Sequence, residues 1–181
     1  MCNMYKQILE FWFDEIEPRQ WWQKSDDFDR NISDRFGELH NMARAGELFA
    51  WRETPQGALA EIILLDQFSR NIYRDSPESF ACDPMAVALS QCAINQGFDS
   101  QLGKEQRVFF YMAFMHSESR IIHQQAVRYF EKLGIESYLD FEMKHKAIID
   151  KFGRYPHRNL ILGRSTTNEE LEFLKLPNSS F

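Results

Sequence analysis

Apolar residues recur in this chain at the three- and four-residue spacing of a helix, almost from end to end. Tyr5, Ile8, Leu9 and Trp12 form one such stripe, and Phe28, Ile32, Phe36, Leu39 and Ala43 form a second. That period puts apolar side chains on one helical face and excludes a half-buried strand, which needs strict alternation. No alternating stretch of useful length occurs. Ile62-Ile63-Leu64-Leu65 could pass for a buried strand, but Thr54-Pro55 upstream is a cap followed by proline at the first helical position. The run therefore falls in mid-helix.

Punctuation divides the periodic segments. Pro18 breaks the first, and Trp21-Trp22 lies in the connection, as core or a rigid lid. Asp26 or Asp27 can cap the second helix, which Gly46 ends. Asp83-Pro84 repeats the start signal for a helix that stops at Gly97 and carries Cys92 as a small buried hydrophobe. From Lys104 to Leu133 the spacing stays helical, but roughly thirty residues is long for one globular helix, so a break is expected near His116–Ser119. Gly134 and Gly153 close the next two helices. Thr166-x-x-Glu169 reads as a capping box for a short last helix. The expectation is an all-α single domain over residues 1–181, with about seven to eight helices arranged as a bundle or an α/α superhelix. No 34-residue repeat recurs.

Composition narrows the function classes. The 181 residues are 44% hydrophobic and 27% charged, which is globular rather than disordered. Sixteen phenylalanines and four tryptophans make the core aromatic. A net charge of −6 disfavours nucleic acid and anionic membrane as partners, while leaving room for a local basic pocket. No apolar run approaches the ~20 residues of a membrane helix. The start, Met1-Cys2-Asn3, leads into a segment bearing Glu10, Asp14 and Glu15, so no secretory signal is expected. Cys2, Cys82 and Cys92 make no C-x-x-C pair, so neither a zinc site nor a disulfide framework is signalled. Reduced thiols and a cytoplasmic location follow as expectations.

Three polar strings carry candidate chemistry. In Asp66-Gln67-Phe68-Ser69-Arg70-Asn71-Ile72-Tyr73-Arg74, spacing by four puts Asp66, Arg70 and Arg74 on one helical face. Asp66 can then orient one guanidinium and leave another for an anion; the plain alternative is a surface ion pair. In Arg154-Tyr155-Pro156-His157-Arg158-Asn159, with Arg164 beyond, three arginines follow a helix-ending glycine. They suit anion recognition or the capping of helix carbonyls. In His116-Ser117-Glu118, a histidine beside a carboxylate is the minimum for acid–base work. No G-x-S-x-G or H-E-x-x-H pattern supports a nucleophilic serine or a metal. A polar kink is the plain reading there. His145, between Lys144 and Lys146, reads as a surface residue or one supporting a site indirectly.

These strings, with Phe11-Trp12-Phe13, Trp21-Trp22 and Gly163-Arg164-Ser165, resemble a bacterial family catalogued as domain of unknown function 924. The likeness spans almost the whole chain. It implies a tetratricopeptide-like α/α superhelix and brings no established reaction. Ala113 stands in the region where the family usually has proline before the histidine of H-S-E, so no proline sets the kink.

Three functions follow. The first is a binding module for an anionic small molecule or peptide, with Asp66, Gln67, Arg70, Asn71, Arg74, Arg154, Arg158, Asn159 and Arg164 lining its pocket. The second is a structural salt-bridge network that staples a helical scaffold. The third is a cofactor-free hydrolase-like enzyme with His116, Glu118 and His157 as catalytic candidates. No metal or other cofactor is implied, and the oligomeric state is not encoded legibly.

Overall fold

The first helix, α1 (Met4–Glu10), runs into a π-helical turn at Phe11–Glu15, and it packs on α3 (Pro55–Ile63) through its apolar stripe. These elements come from a computed structural model describing residues 4–177 and 179–180. Cys2 lies outside those residues. Between α1 and α3 runs α2 (Asp26–Arg44), and α3 continues through a π-helical turn (Leu64–Phe68) into α4 (Ser69–Ile72). There follow α5 (Asp83–Asn95), α6 (Lys104–Met115), α7 (Arg120–Leu133), α8 (Glu136–Phe152) and the short α9 (Asn168–Leu174). With α3, the π turn and α4 taken as one rod, the helices number eight, and no strand occurs among the described residues. The all-α expectation holds.

Burial explains the order of packing. The rod from α3 to α4 is the most deeply enclosed element, with Leu59, Ile62, Ile63, Leu64, Leu65 and Phe68 removed from solvent. A rod that is apolar on every side needs neighbours on every side. It has them in α1, α2, α5 and α6. Phe11, Trp12, Phe28, Phe36, Phe68 and Phe109 interlock around it, with ring centroids 5.0–6.5 Å apart. Trp21 covers this cluster and donates from Nε1 to the carbonyl of Trp12 at 2.9 Å.

Local chemistry moves three expected features. Ser25, not Asp26 or Asp27, caps α2: its hydroxyl accepts from the Phe28 amide at 3.3 Å. The two aspartates fall in the first turn, where negative charge suits the helix dipole. The last capping box is formed by Thr167 and Glu170, one residue later than expected, because the Thr166 hydroxyl meets the Asn159 amide at 3.4 Å. Cys92 faces outward, while Cys82 is buried. His145 is likewise enclosed rather than superficial, its Nδ1 bonded to the Phe141 carbonyl at 2.7 Å.

Candidate functional site

The long helical stretch breaks where expected, and the break is held by side chains from elsewhere. Helix α6 ends at Met115, and α7 starts at Arg120. The last carbonyls of a helix lack intrahelical partners, and here three consecutive ones are taken by distant donors. The Tyr155 hydroxyl donates to Met115 at 2.5 Å, Arg158 Nη2 donates to His116 at 3.1 Å, and His123 Nε2 donates to Ser117 at 2.9 Å. Glu118 completes the turn by accepting from the Tyr155 amide at 2.7 Å and from both terminal nitrogens of Arg164, at 2.6 and 3.0 Å. The H-S-E string and the C-terminal arginine string are therefore two halves of one contact.

The first string joins them through Asp66. The π turn carries this aspartate into the interior, where it is 1% exposed. His116 Nδ1 lies 2.7 and 3.0 Å from its two oxygens. Gln67 donates to Oδ2 at 2.5 Å, and Arg70 sits 3.2 Å from Oδ1 while donating to the Asp66 carbonyl at 2.6 Å. Arg70 also makes a two-pronged pair with Asp83 at 3.0 and 3.1 Å, and Arg158 reaches the same carboxylate at 3.1 Å. Asp83 thus bridges two guanidinium groups. Above Arg158, the Phe80 ring centroid is 4.4 Å from the guanidinium carbon, and the Tyr155 ring centroid is 4.6 Å away.

Of these groups Phe80, Asp83, His116 and Arg158 line a cleft of about 450 Å³, while Asp66, Gln67, Arg70 and Tyr155 stand outside its lining. Its walls are apolar, from Pro77, Phe80, Pro84, Val87, Ile122 and Leu162, and its polar lining comes from Asp83, His116, Ser117, Glu118 and Arg158. Burial pushes the Asp66 carboxyl up, but His116, Arg70 and Gln67 outweigh it and hold it ionised. Burial pushes His116 down, the Arg70 charge adds to this, and together they exceed the pull of Asp66. In its neutral form the ring carries its proton on Nδ1, toward the ionised Asp66. Nε2 keeps a lone pair, and no hydrogen bond engages it among the described residues. For Arg158, burial and repulsion from Arg70 outweigh Asp83 and Glu118 and lower its pKa from the usual arginine range. Its Nε is buried without a partner among the described residues.

Other candidates lie outside the cleft lining. Arg74 and Asn71 both turn to Asp29 on α2, the latter at 2.8 Å, because α4 ends at Ile72 before Arg74 can share the Asp66 face. Arg154 pairs with Glu170 at 2.6 and 2.8 Å, and Asn159 meets Thr166. His157 stands beside Tyr155, with ring centroids 5.5 Å apart; burial lowers its pKa to about 4. Missing from the sequence reading were the carboxylates that receive these arginines: Asp29, Asp83 and Glu170. Asp83 had been read only as a helix start. Also unforeseen was Glu142, fully buried and 2.7 Å from His123 Nδ1. Burial raises the Glu142 pKa against the pull of His123.

A family model described as a bacterial protein of unknown function (DUF924) matches residues 8–178. The chain belongs to that family. A solved structure of a protein of unknown function, ATU0120 from Agrobacterium tumefaciens, has the same fold. It is 38% identical, with a TM-score of 0.91 over 96% of this chain and 97% of that one. No curated protein matches. Among the described residues, no helix is long and apolar enough to cross a membrane.

Proposed function

We propose that the protein is a binding module whose ligand is a small molecule with an apolar body and one anionic group, taken up in the cleft beside α5. The observation that carries this reading is the Arg158 guanidinium in the lining of an apolar-walled cavity, sharing the single Asp83 carboxylate with Arg70 and leaving its Nε without a partner among the described residues. A cavity of that size, apolar with a few convergent polar groups, has the make-up of a small-molecule site. A carboxylate or phosphate would pair with Arg158, which has to share Asp83 with Arg70, and the walls would take the hydrocarbon part. A peptide C-terminus has the same chemistry. The free thiols Cys82 and Cys92 fit a reducing compartment such as the cytoplasm.

Calorimetric titration with sodium octanoate tests the proposal. Saturable binding is expected for the parent protein and its loss for Val87→Trp, which fills the cleft. Absence of binding by octanoate, octyl phosphate and a short apolar peptide carboxylate would contradict it.

The remaining arginines favour a second role alongside the first. Arg164 with Glu118, Arg154 with Glu170 and Arg74 with Asp29 are internal pairs that fasten segments far apart in the chain. These residues staple the scaffold around the cleft rather than line it.

A further inference from the structure

We propose that the cleft is also a hydrolytic site, in which His116 is the catalytic general base, Asp66 its positioning residue, and the substrate a carboxylic ester with an apolar acyl chain. The inference rests on the cleft being a ligand site. A general base must be held in one orientation, keep a lone pair, and open onto bound substrate. His116 meets these conditions: Nδ1 is tied to a buried carboxylate at 2.7 Å, Nε2 has no partner among the described residues, and the residue lines the cleft. Its backbone is fixed as well, because Arg158, Tyr155 and His123 hold the carbonyls of the turn that carries it.

Among the described residues no side-chain hydroxyl or thiol is held against Nε2, so the attacking oxygen is assigned to water. Nε2 takes a proton from that water while its oxygen bonds to the acyl carbon. The carbonyl electron pair moves onto oxygen, and the adjacent Arg158 charge opposes the negative charge that develops there. Collapse breaks the bond to the alkoxide, which receives the proton back from the His116 imidazolium. Ester and water become alcohol and carboxylic acid. The acid ionises to a carboxylate, the kind of anion the cleft is proposed to bind, so substrate and ligand readings share one subsite.

The full-length protein is assayed with p-nitrophenyl octanoate and p-nitrophenyl acetate, with octanoate binding followed in parallel. Turnover above buffer is expected, faster with the longer acyl chain and inhibited by octanoate. His116→Gln is expected to lower kcat by about 10²–10⁴-fold, the usual share of a general base, a larger change than in its affinity for octanoate. Asp66→Asn is expected to lower kcat more than it raises KM and to shift the pH profile. That profile reflects His116 facing Asp66, Arg70 and Asp83, with Arg158 on its carbonyl. In the parent protein it should rise to a plateau with an apparent pKa below about 6.5.

Should a variant fail to fold, diethyl pyrocarbonate labelling of the parent protein provides an independent reading. Mass mapping is expected to find His116 modified ahead of His40, His123, His145 and His157. Octanoate binding without ester turnover overturns the hydrolytic proposal and leaves the binding reading standing. Failure of octanoate, octyl phosphate and the apolar peptide carboxylate alike to bind overturns both. An unreactive His116 in the labelling experiment also overturns the assignment of the base.

Discussion

Arg158 donates from Nη2 to the backbone carbonyl of His116 at 3.1 Å, across 42 positions of sequence. The same guanidinium meets Asp83 through Nη1, and Asp83 in turn holds Arg70. One side chain therefore links the end of α6, the start of α5 and the rod that carries Asp66. The three polar strings lie far apart in sequence, and in the fold each supplies part of one polar layer beneath an apolar cleft.

Removing Arg158 should unfasten that layer. Its side chain is 7% exposed, and truncating one partner of a buried pair strands the other charge. Arg158→Ala is expected to cost about 3–5 kcal/mol in urea denaturation. Arg158→Lys should recover only part, because an ammonium cannot serve Asp83 and the His116 carbonyl with the same flat fork. A loss under 1 kcal/mol for the alanine variant would place Arg158 outside the network.

The Arg164–Glu118 contact offers a test of coupling. Both side chains are about a quarter exposed, yet the pair is two-pronged and shares Tyr155 as a common partner. A double-mutant cycle of Arg164→Ala and Glu118→Gln should give a coupling energy of about 0.5–3 kcal/mol. Arg30→Ala, which breaks the exposed pair with Asp27 on α2, should leave the urea midpoint unchanged within error. Equal effects from the two sites would contradict the distinction.

Acid should weaken the fold before carboxylates protonate. Burial lowers His40 and His157 to about 4 and His145 to about 3. Between these values and about 6.5 the unfolded chain binds more protons than the folded one, so stability falls as pH falls through that window. The combined loss by pH 4.5 should be on the order of a few kcal/mol. The ionised Asp66 and Glu118 extend the loss below pH 4, because their folded pKa values are depressed. Urea midpoints measured from pH 7.5 to 4.5 check this; a flat series would show that the buried histidines carry no such cost.

The helices were readable because their signals are local. Thr54 caps α3 by accepting from the Gly57 amide, and Gly134 and Gly153 close α7 and α8 with positive φ, all within a few residues of the element concerned. The break after Met115 was readable from length alone, even without the family's usual proline. The site was readable only in pieces. Asp66, Arg70, His116, Glu118 and Arg158 could be singled out, but not their partners. Arg158 and Asp83 are 75 positions apart, and nothing in Asp83-Pro84 distinguishes a carboxylate that bridges two arginines from one that merely opens a helix. The exposure of Cys92 and the burial of His145, which removes the surface alternative for that residue, share a related reason: helical spacing gives a face, and the neighbouring elements decide whether that face is covered.

Base catalysis by His116 requires a neutral ring, protonated at Nδ1 toward Asp66 and bearing its lone pair at Nε2. Nitrogen-15 NMR of the imidazoles at pH 7, with His116 assigned by the signal lost in His116→Gln, reads this directly. A protonated Nδ1 and an unprotonated Nε2 are the expected result for that ring. A proton on Nε2, or an imidazolium at that pH, would contradict it.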